Sequence, residues 1–504
     1  MWDLVDDLLE NPDELDASKM KDPALCRAAG DTVDPCRFER SGTGCSSECQ
    51  SYTCEADDVI TAEKVAIAKQ RAQWVTEYLN DMLYVTSVNE SIDFSSDTSA
   101  QRCYNWDKGN SSMDLSDSFV HDNTDVVVIM TMHKSQDGVA GYASCGKYDD
   151  SSRCIVGNFN WCPDQVDVTN TLDTNVIQYE RSTFLHEVMH VLGCCSGDQF
   201  IDENGAQRSA SDRPYQDTNY DTGSDGFSKA VRMFTSERVL KTARTQWGCE
   251  DLQGVPLEDV PLGAGSHWEA RVLGSEVMSY GSGSGEEYLS DITLAYLEDS
   301  GHFIASRNYF TGDQFTSNNN VYLDNYTYAK GGRLLEATGA GISKGSITAI
   351  AEFFGWAESR DVGVAKIRSP GHLRWGSKRG CDFFEKRPQV AWDSTYICES
   401  NTEAGCTGDN RMSARCSIRQ WSVGSQFSCL RSGNCPTSNS QTPDLPFEYR
   451  YLDESAVNGG YNDAMDYVPV RVGYSNCLDK KPLTSGSQGV AGNASIDFSG
   501  LFGM

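Results

Sequence analysis

The 504-residue sequence has no apolar run close to the ~20 residues that a helix needs to cross a lipid bilayer. It also has no excess of positive charge, because 42 Lys and Arg stand against 73 Asp and Glu, a formal net charge of −31. A chain this acidic repels phosphate backbones, so general nucleic-acid binding is not expected. No repeat of 20–50 residues is visible, which excludes solenoids and propellers. These absences predict a globular protein without a transmembrane segment that does not bind nucleic acid.

A secretory signal peptide is also missing, because the first twenty residues are acidic and have no basic stretch followed by an apolar one. The 19 cysteines are nevertheless typical of a disulfide framework in an oxidising compartment. Because their number is odd, at least one thiol is free, joined to another chain or paired beyond this sequence. A zinc ribbon is not favoured, because the sequence contains no pair of C-x-x-C units. We therefore expect an extracellular or cell-surface location, with the native signal upstream of Met1.

The pattern of apolar residues predicts both helices and strands. The β-branched run Asp125–Met132 predicts a buried central strand, and Gly141–Cys145 and Ile155–Phe159 predict shorter strands. The polar stretch 197–265 predicts an excursion from the core. Helices are predicted from Ile60 to Leu83, over 176–192 with Gly193 as a left-handed cap, over Ser236–Trp247, and within 286–305.

His186, Glu187 and His190 form an H-E-x-x-H pattern on the predicted helix 176–192. Residues four apart lie on one helical face, so both imidazoles can reach one zinc ion. Glu187 lies beside that face, where it can polarise a water molecule and transfer protons. The structural alternative is a buried helix with two hydrogen-bonded core histidines. With only seven histidines in the chain, the pattern is rare enough by chance to favour the zinc site.

A hydrolytic zinc site needs three protein ligands and one open position. The compact metzincin pattern H-E-x-x-H-x-x-G-x-x-H has its glycine at Gly193, but Ser196 occupies the position of its third histidine. His267 is the best candidate for the third ligand, since Met278 follows it shortly, as in a metzincin Met-turn. Taken by itself, Met278 is better explained by core packing. The other histidines that could complete the site are His121, His133, His302 and His372.

With these motifs, the sequence resembles the leishmanolysin (invadolysin-like) family of metzincin metallopeptidases. In that family an insertion of tens of residues separates the H-E-x-x-H-x-x-G helix from the third histidine, as between His190 and His267 here. The resemblance runs in short blocks from about residue 54 to about residue 477. The blocks are Ile60–Lys64, Trp247–Cys249, Gly254–Glu258, Thr293–Ala295, Leu297–Asp299, Trp375–Gly376, Gly380–Phe383 and Ala464–Tyr467.

The resemblance implies an α+β, metzincin-like zincin fold with a twisted mixed sheet, an active-site helix and a disulfide-rich C-terminal part. It implies one Zn²⁺ per chain, bound by His186, His190 and His267, and a Met-turn at Met278 that supports the site without ligating the metal. Glu187 becomes the general base in the hydrolysis of protein or peptide substrates. An edge strand then pairs with extended substrate, and Gly141–Cys145 is the candidate.

Cys194 and Cys195 depart from the family pattern, which has no cysteine pair there. We expect them to pair with distant cysteines, and the alternative is that one thiolate reaches the zinc. The five cysteines of residues 1–54 favour ordinary disulfides over a cysteine that caps the metal. A competing function is a catalytically silent surface adhesion or binding module, but such a module has no need of Glu187. An intracellular peptidase conflicts with the cysteine content.

The same patterns divide the chain into parts, although they contain no signal for an oligomeric state. We predict an acidic, Cys-rich N-terminal segment (1–54), an N-terminal catalytic subdomain with the zinc-binding helix (55–196) and an insertion between the second and third ligands (197–265). A central subdomain with the third ligand and the Met-turn (266–375), a Cys-rich C-terminal subdomain (376–480) and a tail (481–504) follow.

Overall fold

The computed structural model of the chain is a mixed α/β arrangement of helices, several small sheets and disulfides. In the part of the chain that it describes, no helix is long and apolar enough to cross a membrane. The structure describes residues 26–33, 52–85, 92–93, 120–121, 124–132, 134, 140–172, 174–202, 204–221, 228–259, 265–280, 287, 289–305, 320–323, 326–329, 333–337, 373–386, 388, 392–408, 412–420, 458–460 and 465–476.

The helices follow the predicted periodicity closely. The first begins after Thr61, whose hydroxyl accepts a hydrogen bond from the Lys64 amide (3.3 Å), and the second is followed by Gly193, whose φ is +99°. The predicted helix over Ser236–Trp247 begins one residue later. The α-helices are α1 (Ala62–Met82), α2 (Thr174–Val191), α3 (Glu237–Trp247), α4 (Ala270–Leu273), α5 (Asp291–Ser300) and α6 (Asp382–Glu385).

The strands form small sheets of two or three strands each. They are β1 (Thr32–Val33), β2 (Tyr52–Thr53), β3 (Leu83–Val85), β4 (Ile92–Asp93), β5 (Val120–His121), β6 (Val127–Thr131), β7 (Gly141–Tyr148), β8 (Cys154–Trp161), β9 (Tyr215–Asp221), β10 (Ser228–Phe234), β11 (Val255–Pro256), β12 (Phe303–Ala305), β13 (Asn320–Leu323), β14 (Tyr326–Ala329), β15 (Arg333–Ala337), β16 (Ala404–Cys406), β17 (Met412–Cys416), β18 (Ile418–Gln420), β19 (Asn458–Gly460) and β20 (Arg471–Asn476).

The sheet beside α2 has the order β6-β8-β7, with β6 parallel and β7 antiparallel to β8. The prediction that Asp125–Met132 is the central strand was wrong, because β8 lies in the middle of the three. A continuous apolar run indicates burial on both faces, but it does not fix the position of a strand within its sheet. The prediction for Gly141–Cys145 agrees with the structure, since β7 pairs with β8 alone among the described strands.

Helix α2 packs on this sheet through aromatic and aliphatic side chains. The Phe184 ring makes edge contacts with Phe159 and Trp161 of β8, at centroid distances of 4.6 and 4.7 Å. Gly157 allows the close approach, because a Cβ atom there would lie 2.4 Å from a methyl group of Val191. Helix α2 also contacts α1. This packing fixes the helix that carries the H-E-x-x-H pattern.

The segment 197–265 is not a simple excursion from the core. Its first part is polar, but Phe234, Val239 and Trp247 are fully buried in the same hydrophobic cluster as α2 and α5. Val239, Ala243 and Trp247 repeat at every fourth position, which gives α3 one apolar face. The average composition of the segment concealed this spacing. The boundaries of the insertion stay a prediction.

Disulfides and buried ion pairs connect distant parts of the chain. Cys249 is bonded to Cys381, and the guanidinium of Arg271 lies 2.9 Å from the buried carboxylate of Asp466. The expectation that Cys194 and Cys195 pair with distant cysteines was wrong, because they are bonded to each other across a cis peptide bond. That expectation rested on the rarity of disulfides between adjacent cysteines. The other described disulfides are Cys26–Cys54, Cys145–Cys154 and Cys398–Cys416.

Candidate metal centre

Three of the predicted site residues meet at one point. The Nε2 atom of His186 lies 3.0 Å from that of His267 and 3.1 Å from that of His190, and the last two are 3.1 Å apart. His186 and His190 are brought together by the one-turn spacing on α2. His267 comes from a loop far along the chain. The structure thus brings together the three histidines that the sequence analysis selected.

The loop that carries His267 is held by its neighbours on both sides. The Glu258 amide donates to the His267 carbonyl (2.9 Å), and the Trp268 amide donates to the Met278 carbonyl (2.9 Å). The indole of Trp268 is fully buried and donates to the hydroxyl of Thr293 on α5 (2.9 Å). These bonds fix the backbone beside the third imidazole.

Each of the three imidazoles also has a partner at its second ring nitrogen. Nδ1 of His186 donates to the Val277 carbonyl (2.6 Å), and Nδ1 of His190 donates to the Cys194 carbonyl (2.8 Å). Nδ1 of His267 lies 2.9 Å from the Ser266 hydroxyl. Such contacts orient metal-binding imidazoles and select the tautomer whose Nε2 has a free lone pair.

The chemistry of this donor set fits a zinc ion. Burial lowers the pKa of His186 and lowers the pKa of His190 to about 3, so both rings are neutral. Neutral rings that donate through Nδ1 direct their Nε2 lone pairs at one another, and these lone pairs can bind a metal cation at the centre. Zn–N bonds of about 2.0–2.1 Å place tetrahedral ligand atoms about 3.3 Å apart, close to the separations measured here.

The side chain of Glu187, a residue of α2, lies near the first residue of the edge strand β7. Its side chain is 5% exposed, and Oε2 has no hydrogen-bond partner among the described residues. Burial raises the pKa of this carboxyl to about 8. A Cβ atom at Gly141 would lie 3.2 Å from Cγ of Glu187, so the absence of a side chain at Gly141 lets the strand pass close to the carboxyl group.

Met278 is fully buried directly after the residue that holds His186. Its amide donates to the carboxylate of Glu276, which also accepts hydrogen bonds from the amide and hydroxyl of Ser290 and from the hydroxyl of Thr293. Glu276 therefore joins the Met278 turn to the start of α5. The sequence analysis missed this residue, although an acidic residue between the apolar segments Val272–Leu273 and Val277–Met278 was a usable signal.

The alternative ligands that the structure describes do not join the three imidazoles. His302 is buried elsewhere, with Nε2 2.7 Å from the Gln199 carbonyl oxygen. The hypothesis that a thiolate of Cys194 or Cys195 binds the metal was wrong, because both sulfur atoms form the disulfide between these residues. The side chains of His121, His133 and His372 lie outside the described residues, as do Cys36, Cys45 and Cys49 of the N-terminal cluster.

Comparisons with known proteins agree with the resemblance. The leishmanolysin-like peptidase of Caenorhabditis elegans is 29% identical over 213 residues, which cover 36% of this chain and 31% of that protein. The leishmanolysin homolog of Crithidia fasciculata is 27% identical over 297 residues, 58% of this chain and 39% of that protein. The human ciliated left-right organizer metallopeptidase is 29% identical over 185 residues, 33% of this chain and 20% of that protein.

The chain spans less than half of the length of each of these relatives. The family model described as leishmanolysin matches residues 16–315, more than half of the chain and the part that contains all three clustered histidines. The chain therefore belongs to the leishmanolysin family of peptidases.

Proposed function

We propose that this protein is a zinc-dependent endopeptidase that hydrolyses peptide bonds in proteins. The observation that carries this proposal is the convergence of three imidazoles beside the buried carboxyl group of Glu187, whose Oε2 has no hydrogen-bond partner among the described residues. Membership of the leishmanolysin family and the peptidase names of its relatives support the proposal. A binding module would have no use for a carboxyl group buried in this position.

In the proposed mechanism, His186, His190 and His267 hold one Zn²⁺ per chain. Bound zinc supplies a Lewis acid that polarises a carbonyl group and lowers the pKa of a water toward ~7. Glu187 accepts the proton of the attacking water and later returns it to the leaving amine. Its burial beside the imidazoles keeps the carboxyl group within a dry site, where charge interactions are strong.

We assign substrate positioning to β7. Its outer edge has no partner among the described strands, so its backbone groups can pair with an extended peptide. The strand begins at Gly141, next to Glu187, so a peptide bound along it reaches the reacting groups. The mixed sheet, the helix α2 and the turn at Met278 fit a metzincin fold, with Met278 supporting the metal base through packing.

The substrates are proteins or peptides, and the location is extracellular or at the cell surface. The described disulfides support this location, because such bonds persist in oxidising environments. The C-terminal disulfide Cys398–Cys416 belongs to the predicted Cys-rich C-terminal subdomain.

The test is cleavage of a denatured protein by the zinc-loaded chain, beside the isosteric variant Glu187→Gln and the truncation Glu187→Ala. Both variants should retain one zinc per chain and lose activity by a factor of about 10²–10⁴ or more, the contribution typical of a general base. Activity is measured by fluorescence release and zinc by elemental analysis. If the parent binds zinc but does not cleave, the adhesion or binding module is the correct function.

A further inference from the structure

The turn that follows α2 contains two cysteines bonded to each other, Cys194 and Cys195. We infer that this disulfide positions His190 and His267 for the metal, so that zinc affinity depends on the redox state of the pair. The inference rests on the proposed zinc site. It adds redox regulation of zinc binding, which the peptidase reaction itself does not require. Cys194 and Cys195 are positioning residues, because they act through the imidazoles and touch no substrate.

The first contact of this turn is with the second ligand. The Cys194 carbonyl accepts the hydrogen bond from Nδ1 of His190 (2.8 Å), so it orients that ring. The Cys194 amide donates to the Met189 carbonyl (3.0 Å). This bond attaches Cys194, and with it the Cys194 carbonyl, to the end of α2. Any rotation of the peptide unit between the two cysteines moves the group that holds His190.

The second contact is with the third ligand. The Cys195 amide donates to the Ser266 carbonyl (3.3 Å), and the hydroxyl of Ser266 lies 2.9 Å from Nδ1 of His267. The Tyr215 hydroxyl donates to the Cys195 carbonyl (3.2 Å), which holds the turn from the other side. Cys194 thus contacts the His190 ring directly, and Cys195 contacts Ser266, the residue beside the His267 ring.

Reduction changes this turn directly. A dithiol reagent transfers two electrons and two protons, the S–S bond breaks, two thiols form, and the reagent becomes a disulfide. Both residues are buried, Cys194 to 2% and Cys195 to 0% exposure. Two thiols need more room than one disulfide, because non-bonded sulfur atoms cannot approach to bonding distance. The turn must therefore shift, and the Cys194 carbonyl and the Cys195 amide shift with it.

The test removes this disulfide alone, in the double variant Cys194→Ala with Cys195→Ala. Zinc affinity is measured by competition with a chromogenic chelator, and folding by circular dichroism. We expect zinc to bind at least tenfold more weakly, the typical loss when a group that orients a metal ligand is removed. The matched control, Cys398→Ala with Cys416→Ala, removes a disulfide in the C-terminal strands and should keep the parent affinity.

A second measurement uses the parent chain, so the inference can be tested even if the double variant does not fold. The zinc-loaded protein is titrated with a dithiol, reduced pairs are located by alkylation and mass spectrometry, and released zinc is recorded. Zinc loss that follows reduction of Cys194–Cys195 and reverses on reoxidation supports the inference. If zinc affinity is the same with the Cys194–Cys195 disulfide intact or broken, the inference is overturned and the peptidase proposal is unaffected. Failure of the oxidised parent to bind zinc overturns the proposed function itself.

Discussion

Helix α2 and the loop that carries His267 bring three imidazoles together at the candidate metal centre, but they are held in different ways. On α2, the regular helical spacing alone places His186 and His190 on one face. The position of His267 depends on hydrogen bonds to residues from other segments, among them Glu258 and Met278. The helical half of the site is therefore encoded locally, and the loop half is encoded by tertiary contacts.

Each half is also joined to a distant segment by one buried ion pair. On the helical side, the Arg71 guanidinium of α1 lies 2.7 Å from the Glu180 carboxylate of α2, and both are nearly inaccessible. On the loop side, Arg271 pairs with Asp466. Breaking a buried pair leaves an uncompensated charge and costs about 3–5 kcal/mol. Breaking one pair or the other therefore perturbs the helical half or the loop half of the site by a similar free energy.

The largest effect is expected from Asp466→Ala, which leaves the Arg271 charge buried. The free energy of unfolding should fall by about 3–5 kcal/mol. Zinc affinity of the folded molecules should fall as well, because Arg271 lies on the short helix α4, which directly follows the loop that carries His267. The free energy is measured by urea denaturation of the metal-free chain, and affinity by chelator competition.

The control for this change is Arg71→Ala. It should destabilise the chain by a comparable amount, yet leave zinc affinity of the folded molecules near that of the parent, because α2 keeps its one-turn ligand spacing. Equal losses of affinity in the two variants would show that both halves depend on tertiary contacts, and the comparison would fail.

A smaller effect is expected from Glu276→Gln. The amide group keeps one acceptor oxygen, but its NH₂ faces donors from Met278, Ser290 or Thr293 that lose their partner. An unsatisfied buried donor costs about 1–3 kcal/mol, and the weaker Met278 turn should also weaken zinc binding. Thermal unfolding with and without zinc measures both.

Glu298→Gln is the matched control for this variant. Glu298 lies on α5, the helix whose start Glu276 contacts, and its carboxylate accepts from the Ala305 amide (3.3 Å), away from the turn at Met278. It should lose stability without losing zinc affinity. The interpretation of Glu276 as a support of the site would be wrong if the two variants bound zinc equally well.

The smallest effect is expected from Thr61→Ala at the start of α1. Loss of the hydroxyl that accepts from the Lys64 amide should lower the free energy of unfolding by about 1 kcal/mol. Because α1 supports α2 without contributing a ligand, zinc affinity should not change. A Thr61→Ser variant keeps the acceptor oxygen and should match the parent. A drop in affinity for Thr61→Ala alone would mean that the helical half also responds to remote changes.

The same division explains how far the sequence could predict the structure. The H-E-x-x-H pattern, Gly193 after α2 and the periodicity of α1 depend on neighbours a few residues apart, and the structure agrees with all three. His267 was chosen because Met278 follows it and because of the family resemblance; its imidazole does lie beside the other two, and its role as a ligand stays a prediction. Glu276 was missed, since its partners at Ser290 and Thr293 become neighbours only when the chain folds.

The errors have physical causes of the same kind. The middle position of β8 is decided by pairing with two other strands, which the composition of β6 does not reveal. Burial of Phe234 and Trp247 was concealed by the polar residues around them. The bond between Cys194 and Cys195 depends on a backbone geometry that sequence spacing cannot show.

The disulfide Cys249–Cys381 has a consequence for what happens when the backbone is cut. The bond closes a loop with a sequence separation of 132, and both His267 and Met278 lie inside this loop. A single cut of the backbone between the two cysteines leaves both fragments covalently joined. A molecule nicked there by itself or by a neighbour keeps its mass on a non-reducing gel and separates only when the bond is reduced. The cross-link thus keeps the two fragments together after a cut in this part of the chain.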